Sequence, residues 1–353
     1  MSKLNVALLG ATGAVGQRYV TLLGTHPSFH LQVMMGSSSV GKVYSEAVRW
    51  MHPDAIPSSI ASMKVMPATP ESAKGCDVIF SAMPSEAAKD LEPKFAAAGY
   101  AVVSEASAHR MDDDVPLIVP EVNPDHLKLL HDQRKSRGWK GGLVTTPNCT
   151  VTGLAMVLKP LLKAFRLTKV VVTTMQAISG AGYPGVPSLD IVENVIPYIE
   201  GEEDKVAREA TKILGTPSGG SILPCTIPMA VSCNRVPVVE GHLENLYCEF
   251  STPLAPTDVV KALEAFRSEP QQLGLPSAPA VPIIVRSEND RPQPRLDRMA
   301  GSVPGMSVVV GRIRRGIDDK SLQLVLLSHN TIRGAAGSAI LTAELMESRG
   351  LLG

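Results

Sequence analysis

Among five cysteines and eight histidines in 353 residues, Cys149 stands apart by its neighbours. It lies in Gly141-Gly-Leu-Val-Thr-Thr-Pro-Asn-Cys-Thr150, where an apolar strand-like run stops at Pro147 and a helix-like run begins after Thr150. A sulfur at such a junction faces unpaired backbone N–H groups and the positive end of a helix dipole. Both favour thiolate over thiol and lower the cysteine pKa from about 8.5 toward neutrality. The same N–H groups can hold an oxyanion formed when the sulfur attacks a carbonyl. Such a nucleophile needs a proton acceptor, and His242 is the best placed candidate. It follows Cys233-Asn-Arg-Val-Pro-Val-Val-Glu-Gly241 and opens a strand. His26, His30 and His52 lie beside turns, His126 and His131 on a helix expected to be exposed, and His109 and His329 have no clear claim.

A second constellation sits near the N-terminus. Val6–Leu9 reads as a short apolar strand running into Gly10, Gly13 and Gly16, and a helical run follows from Ala14. Glycines at a strand-to-helix turn let the backbone approach a pyrophosphate, and the helix N-terminus attracts its charge. The spacing is G-x-x-G-x-x-G rather than the usual G-x-G-x-x-G. A dinucleotide site normally carries an acidic residue about 20 positions on, holding the ribose 2′-hydroxyl. Here the second strand leads into Gly36-Ser-Ser-Ser-Val-Gly-Lys42, and no Asp or Glu precedes Glu46. Hydroxyls and a lysine at that corner suit a 2′-phosphate, which a carboxylate would repel. The expected cofactor is NADP.

The elements that must position these groups change texture along the chain. Residues up to Cys149 alternate strands (6–9, 31–35, 77–83, 101–105, 117–119, 143–146) with helices (14–23, 85–98, 124–136). That alternation predicts a mostly parallel sheet covered by helices. Beyond Cys149, a helix over 151–165 precedes long strands at 169–175, 242–250, 280–285, 306–314 and 322–328, with helices near 205–214, 257–268 and 334–349. Long strands with few helices predict a mixed or antiparallel sheet covered on one face. The proline-rich stretch 271–294 reads as flexible surface. A 44% hydrophobic composition supports a large core, and a formal charge of zero leaves no electrostatic footprint for nucleic acid or an anionic membrane. No apolar run reaches the roughly 18 residues of a membrane span. An odd cysteine count without a C-x-x-C pair argues for a reducing compartment, with cytoplasm the default, and no metal site is expected.

Five ordered motifs together resemble the aspartate-β-semialdehyde dehydrogenase family, in the branch found in archaea and fungi. They are Gly10-Ala-Thr-Gly-Ala-Val-Gly16, Pro147-Asn-Cys-Thr150, Gln176-Ala-Ile-Ser-Gly-Ala-Gly182, Arg235-Val-Pro-Val-x-x-Gly-His242 and Asn330-Thr-Ile-Arg-Gly-Ala-Ala-Gly337. The resemblance implies that Cys149 is the acyl-thioester nucleophile and His242 the general acid/base, with Asn148 and Gln176 beside the reacting centre. It implies Arg235 on the substrate α-carboxylate, Arg110 on phosphate, and Glu202 and Lys205 on the substrate amine and the phosphate, with Glu203 an alternative to Glu202. Gly10, Thr12, Gly13, Ala14, Val15, Ser37, Ser38, Ser179, Gly180 and Asn330 fall at cofactor-binding positions. Other readings stay open from sequence: Arg235 paired with Glu240 or Glu244, and Lys205 with Arg208 on a solvated helix face.

By this resemblance the fold is α/β, a Rossmann-type NADP-binding domain (1–148 with 330–353) plus an α+β substrate and dimerisation domain (149–329) with a mixed sheet. The implied reaction is the reversible, NADP-dependent reductive dephosphorylation of β-aspartyl phosphate to L-aspartate β-semialdehyde, on the way to lysine, threonine and methionine. Its partners would be the small-molecule substrate, inorganic phosphate and a second copy of the chain, as homodimer or homotetramer. The alternatives are an N-acetyl-γ-glutamyl-phosphate or malonyl-CoA type reductase, and a non-catalytic nucleotide-binding homologue. The spacing of Arg235 and His242 adds one requirement. Seven residues apart, they fall on opposite faces of an ideal strand, so a shared cleft needs a break at Glu240-Gly241.

Overall fold

The computed structural model describes residues 3–352. Its first sheet is six-stranded and parallel, in the order β3-β2-β1-β4-β5-β6. The strands are β1 (Leu4–Leu9), β2 (Phe29–Gly36), β3 (Val65–Pro67), β4 (Val78–Ser81), β5 (Ala101–Ser104) and β6 (Gly142–Thr145). β4, β5 and β6 are buried along their whole length, as expected for strands covered on both faces. Helices α1 (Ala14–Leu23), α2 (Ser85–Ala97) and α3 (Leu129–Arg137) flank it. The expected strand at 117–119 forms only a single bridge, Leu117 to Thr145, although all three residues are buried. Pro116 and Pro120 bracket the run and break the backbone ladder.

Helix α4 (Cys149–Ala164) leads directly from β6 into the second sheet. That sheet has the order β10-β7-β11-β14-β13-β12. Its strands are β7 (Leu167–Gln176), β10 (Met229–Arg235), β11 (His242–Phe250), β12 (Ile283–Val285), β13 (Val308–Arg315) and β14 (Ser321–Ser328), while β8 (Thr216–Ser218) and β9 (Ser221–Leu223) make a separate hairpin. β10 runs parallel to β7 and β12 to β13; the remaining pairings are antiparallel. α4, α5 (Glu202–Ile213) and α6 (Pro256–Glu264) pack their apolar faces on it, burying Val151, Leu154, Leu158, Val206, Ala210, Val259 and Leu263 against Val172, Leu246 and Leu324. The stretch 271–294 is not merely surface, because it supplies the edge strand β12 with Ile283 wholly buried.

The chain then returns. Helix α7 (Gly337–Ser348) inserts Ala339, Ile340, Ala343 and Met346 into the core that holds Val6, Leu8, Phe80 and Val103 of the first sheet. Before it, the backbone of 332–336 departs from helical geometry at Ala335. Arg333 in this segment is fully buried and grips Glu121 with two hydrogen bonds of 2.9 and 2.5 Å. Removing one partner of a buried pair strands the other charge, at a cost of about 3–5 kcal/mol. Arg333→Met is therefore expected to lower unfolding stability by that amount, read from urea melts, and Glu121→Gln combined with it should recover part of the loss.

Candidate active site

Asn148 ends the loop after β6 and caps α4, its Oδ1 accepting the Thr150 N–H at 2.9 Å. Cys149 is thus the first helical residue, and the helix starts two residues before the expected 151. Two acidic residues of α5 hold the cap in place. Asn148 donates through Nδ2 to Glu202 Oε1 (2.8 Å) and through its backbone N–H to Glu209 Oε2 (2.6 Å). Glu209 also accepts from Arg110 Nη1 at 3.0 Å, and Arg110 donates to the Glu105 carbonyl. Lys212, one turn further along α5, donates to the carbonyls of Arg110, Asp112 and Val115. Glu202, Glu209 and Lys212 share one buried face of α5. Sequence reasoning had no signal for Glu209 and Lys212, whose work is to fix the loop that carries Arg110 beside the cysteine.

The sheet brings His242 to the same point. β10 and β11 flank β7 on its two sides; Arg235 is in register with Gln176, and Leu243 with Met175. The connection between them therefore crosses the end of β7, turning at Gly241 with φ of 102°. Arg235 and His242 so reach one cleft, and the break required at Glu240-Gly241 is present. Cys149 Sγ and His242 Nε2 are 3.1 Å apart. On the far side of the ring, the Ala177 N–H donates to Nδ1 at 3.0 Å. That bond assigns the proton to Nε2, which points it at the sulfur.

Arg235 is buried and donates to the Ala177 carbonyl at 2.8 Å. It pairs with neither Glu240 nor Glu244, so its remaining N–H groups are free for a carboxylate. A Cβ on Gly180 would lie 2.8 Å from Arg235 Nη1 and 3.1 Å from the His242 ring, so the 178–182 loop rests directly on both. Gln176 is buried and donates to Thr174 Oγ1. Glu203 accepts the Cys233 N–H at 2.9 Å, facing away from the cap that holds Glu202. Lys205 is exposed and makes no ion pair among the described residues. His126, expected on an exposed face, is wholly buried between Asn123 and the Gly215 carbonyl.

The electrostatics differ from the junction argument. Burial, reinforced by Glu202, pushes the Cys149 thiol up to about 12, although Arg110 and Arg235 pull it down. Burial, with Arg235 and His329, lowers His242 to about 3. Desolvation thus outweighs the helix terminus, and the pair stands neutral rather than as thiolate and imidazolium.

Gly10, Thr12, Gly13, Ala14 and Val15 line a cavity of about 580 Å³ together with Ser37, Ser38 and Ser39. Gly10 has φ of 78° and a Cβ there would strike the Ala82 carbonyl at 2.6 Å, whereas one on Gly13 would meet only the Gly10 carbonyl at 3.5 Å. Gly10 is thus required by the fold, and Gly13 keeps open the approach to a helix N-terminus that has no side-chain cap. A second cavity of about 510 Å³, lined by Ser179, Glu240, His329 and Thr331, meets the first at Ala14 and Gly182. Between them and the cysteine, Asn330 donates to Ser179 Oγ (2.8 Å) and accepts the Gly241 N–H (2.9 Å). A bare helix terminus and a corner of hydroxyls without a carboxylate fit a phosphorylated dinucleotide.

Residues 5–130 match the family model of the semialdehyde dehydrogenase NAD binding domain, and residues 158–333 that of the semialdehyde dehydrogenase dimerisation domain. The chain belongs to the semialdehyde dehydrogenase family. An aspartate-semialdehyde dehydrogenase of Archaeoglobus fulgidus is 49% identical, covering 98% of both chains. A malonyl CoA reductase (NADP) of Metallosphaera sedula is 44% identical, covering 99% of this chain and 98% of the other. The crystal structure of aspartate semialdehyde dehydrogenase with NADP from Candida albicans superposes with a TM-score of 0.90 at 40% identity, covering 99% of this semialdehyde dehydrogenase and 100% of that chain.

Proposed function

We propose that this chain is an NADP-dependent aspartate-semialdehyde dehydrogenase that interconverts L-aspartate β-semialdehyde and β-aspartyl phosphate through a Cys149 thioester. The observation that carries the reading is the contact of Cys149 Sγ with His242 Nε2 at 3.1 Å, with Arg235 held across the end of β7. NADP, when bound along Gly10–Val15 and Ser37–Ser38 with Ser179, Gly180 and Asn330 at its nicotinamide end, supplies the hydride acceptor.

Arg235 takes the substrate α-carboxylate, for which a fixed guanidinium is suited. Glu202 takes the amine; its second oxygen carries no protein hydrogen bond among the described residues. The cysteine sulfur attacks the aldehyde carbon, and the oxyanion of the thiohemiacetal receives the Nε2–H of His242. The proton-acceptor role expected for His242 is closed while the Ala177 N–H occupies Nδ1. His242 therefore serves as a hydrogen-bond donor to thiolate and oxyanion, and the thiol proton passes to solvent water at the partly exposed Cys149 before attack. Loss of hydride from the oxyanion gives the thioester, which inorganic phosphate opens to acyl phosphate and free thiolate. Arg110, tied to Glu209, contributes its charge beside the sulfur, and Lys205 meets phosphate from the exposed rim.

Residues 1–148 with 330–353 form the cofactor unit and 149–329 the substrate and dimerisation unit. Exposed Leu189, Val192, Val195 and Tyr198 support self-association as a dimer or tetramer. Among the described residues, no helix is long and apolar enough to cross a membrane.

The test is NADPH formation from L-aspartate β-semialdehyde with and without inorganic phosphate, run beside NADPH oxidation with malonyl-CoA. Phosphate-dependent turnover is expected. Turnover with malonyl-CoA alone would overturn the substrate assignment, since a malonyl group brings no ammonium to Glu202.

A further inference from the structure

Two residues before His242, Glu240 leaves the second sheet and reaches α1. Its Oε1 accepts from Arg18 Nη2 at 2.6 Å and from Thr331 Oγ1 at 3.1 Å, and Arg18 Nε donates to the same Thr331 hydroxyl at 3.2 Å. His329 lies 3.3 Å from the second oxygen. The neighbouring Gly241 N–H is held by Asn330, which also grips Ser179. The side-chain ties of Glu240 and the bond on the Gly241 N–H run to α1 and to the returning segment at 329–331, while the backbone of Val238 and Val239 is held by Ile178 and Ser179. Arg18 sits little more than one turn into α1, the helix whose bare N-terminus faces the dinucleotide cavity. The side chains of Arg18 and Glu240 are only 11% and 22% exposed, so solvent screens this pair little.

We propose that Glu240 is a positioning residue that couples the placement of α1, and hence the occupancy of the dinucleotide cradle, to the alignment of His242 on Cys149. This rests on the reading of Cys149 and His242 as the reacting pair. Glu240 touches neither the sulfur nor the imidazole; it acts through Gly241. A ligand seated on the α1 terminus pulls on Arg18, Arg18 on Glu240, and the turn carries the shift into the ring that opens β11. Arg18 and Glu240 thereby act as one unit, and the loss of either is equivalent to the loss of both.

The experiment uses the full chain as wild type, Arg18→Met, Glu240→Gln, the double variant, and the charge exchange Arg18→Glu with Glu240→Arg. Four quantities are read: melting temperature, NADP affinity by fluorescence, kcat and KM for the semialdehyde, and the Cys149 alkylation rate by iodoacetamide with and without NADP. Each single variant should lower kcat about tenfold or more, the range of ordinary site-to-site coupling, with KM nearly unchanged. NADP should change the alkylation rate in the wild type and not in the single variants. The double variant should be no worse than either single, and the charge exchange should restore part of the NADP effect. Singles whose losses multiply, an NADP effect surviving in Glu240→Gln, or a wild-type alkylation rate indifferent to NADP would each overturn the proposal. Absence of wild-type turnover would instead overturn the substrate assignment, while the alkylation cycle still decides the role of Glu240.

Discussion

Cys149 in the free protein is expected to react with iodoacetamide about tenfold faster for each pH unit between 6 and 9, roughly a thousandfold in all. The thiolate is the reacting form, and burial lifts the thiol to about 12. Below its pKa, the thiolate fraction of any thiol grows tenfold per unit. The sign follows from the direction of the shift: a raised thiol pKa means the proton is kept through neutrality and lost only as alkali is approached. His242 adds no second limb, because burial and Arg235 hold it neutral above about 3. An imidazolium–thiolate pair would instead give a plateau from near-neutral pH with a rise at its acid edge. Mass spectrometry of the alkylated peptide over the pH series separates the two. A plateau near pH 7 would show that the helix terminus, Arg110 and Arg235 together overcome desolvation.

Gly334→Ala is expected to lower kcat about a hundredfold while leaving NADP affinity close to wild type. A Cβ at that position would lie 2.7 Å from Cys149 Cβ and 2.9 Å from its Cα and carbonyl oxygen. None of these can swing away, since all belong to or adjoin the backbone of the first turn of α4. The helix start must move, and a displacement near 1 Å in a reacting group costs about 10²-fold in rate. Gly334 is outside the cavity formed by Gly10–Val15, so the cofactor site should remain intact. Overpacking of this kind also costs about 1–3 kcal/mol of stability. Steady-state kinetics and NADP titration on the same preparation check both halves. A variant with wild-type kcat would show that the 332–336 segment yields instead of the helix.

Much of the site was legible because its chemistry resides in short local patterns. The junction at Cys149, the glycine turn before Ala14 and the missing carboxylate after β2 each follow from residue types within a few positions. β11 was read to the residue as one of the long strands. β10 was not, although its burial alternates, because on this edge strand only Cys233 and Arg235 are buried and the run ends in polar Asn234-Arg235. Pairings across long separations left no local trace: Asn148 with Glu209, Arg18 with Glu240, and Arg333 with Glu121. The thiol's state was misjudged for a related reason. A helix terminus can be seen in sequence, whereas the depth at which the rest of the chain buries it cannot. Gly334 lies in the run Asn330–Gly337 with no role visible in sequence, since only the fold reveals that it lies against Cys149.

The return of the chain has a consequence for biosynthesis on the ribosome. Residues of β1, β4 and β5 are translated before the second sheet, yet the apolar face they build is covered by Ala339, Ile340, Ala343 and Met346, which follow it. The nascent polypeptide must therefore carry an unfinished first core past the entire synthesis of the second sheet. Completion of that core, and with it the seat of Asn330 against Ser179, waits for α7 to be made. A product lacking α7 would leave the first core uncovered, and translation itself so withholds the assembled site until α7 is made.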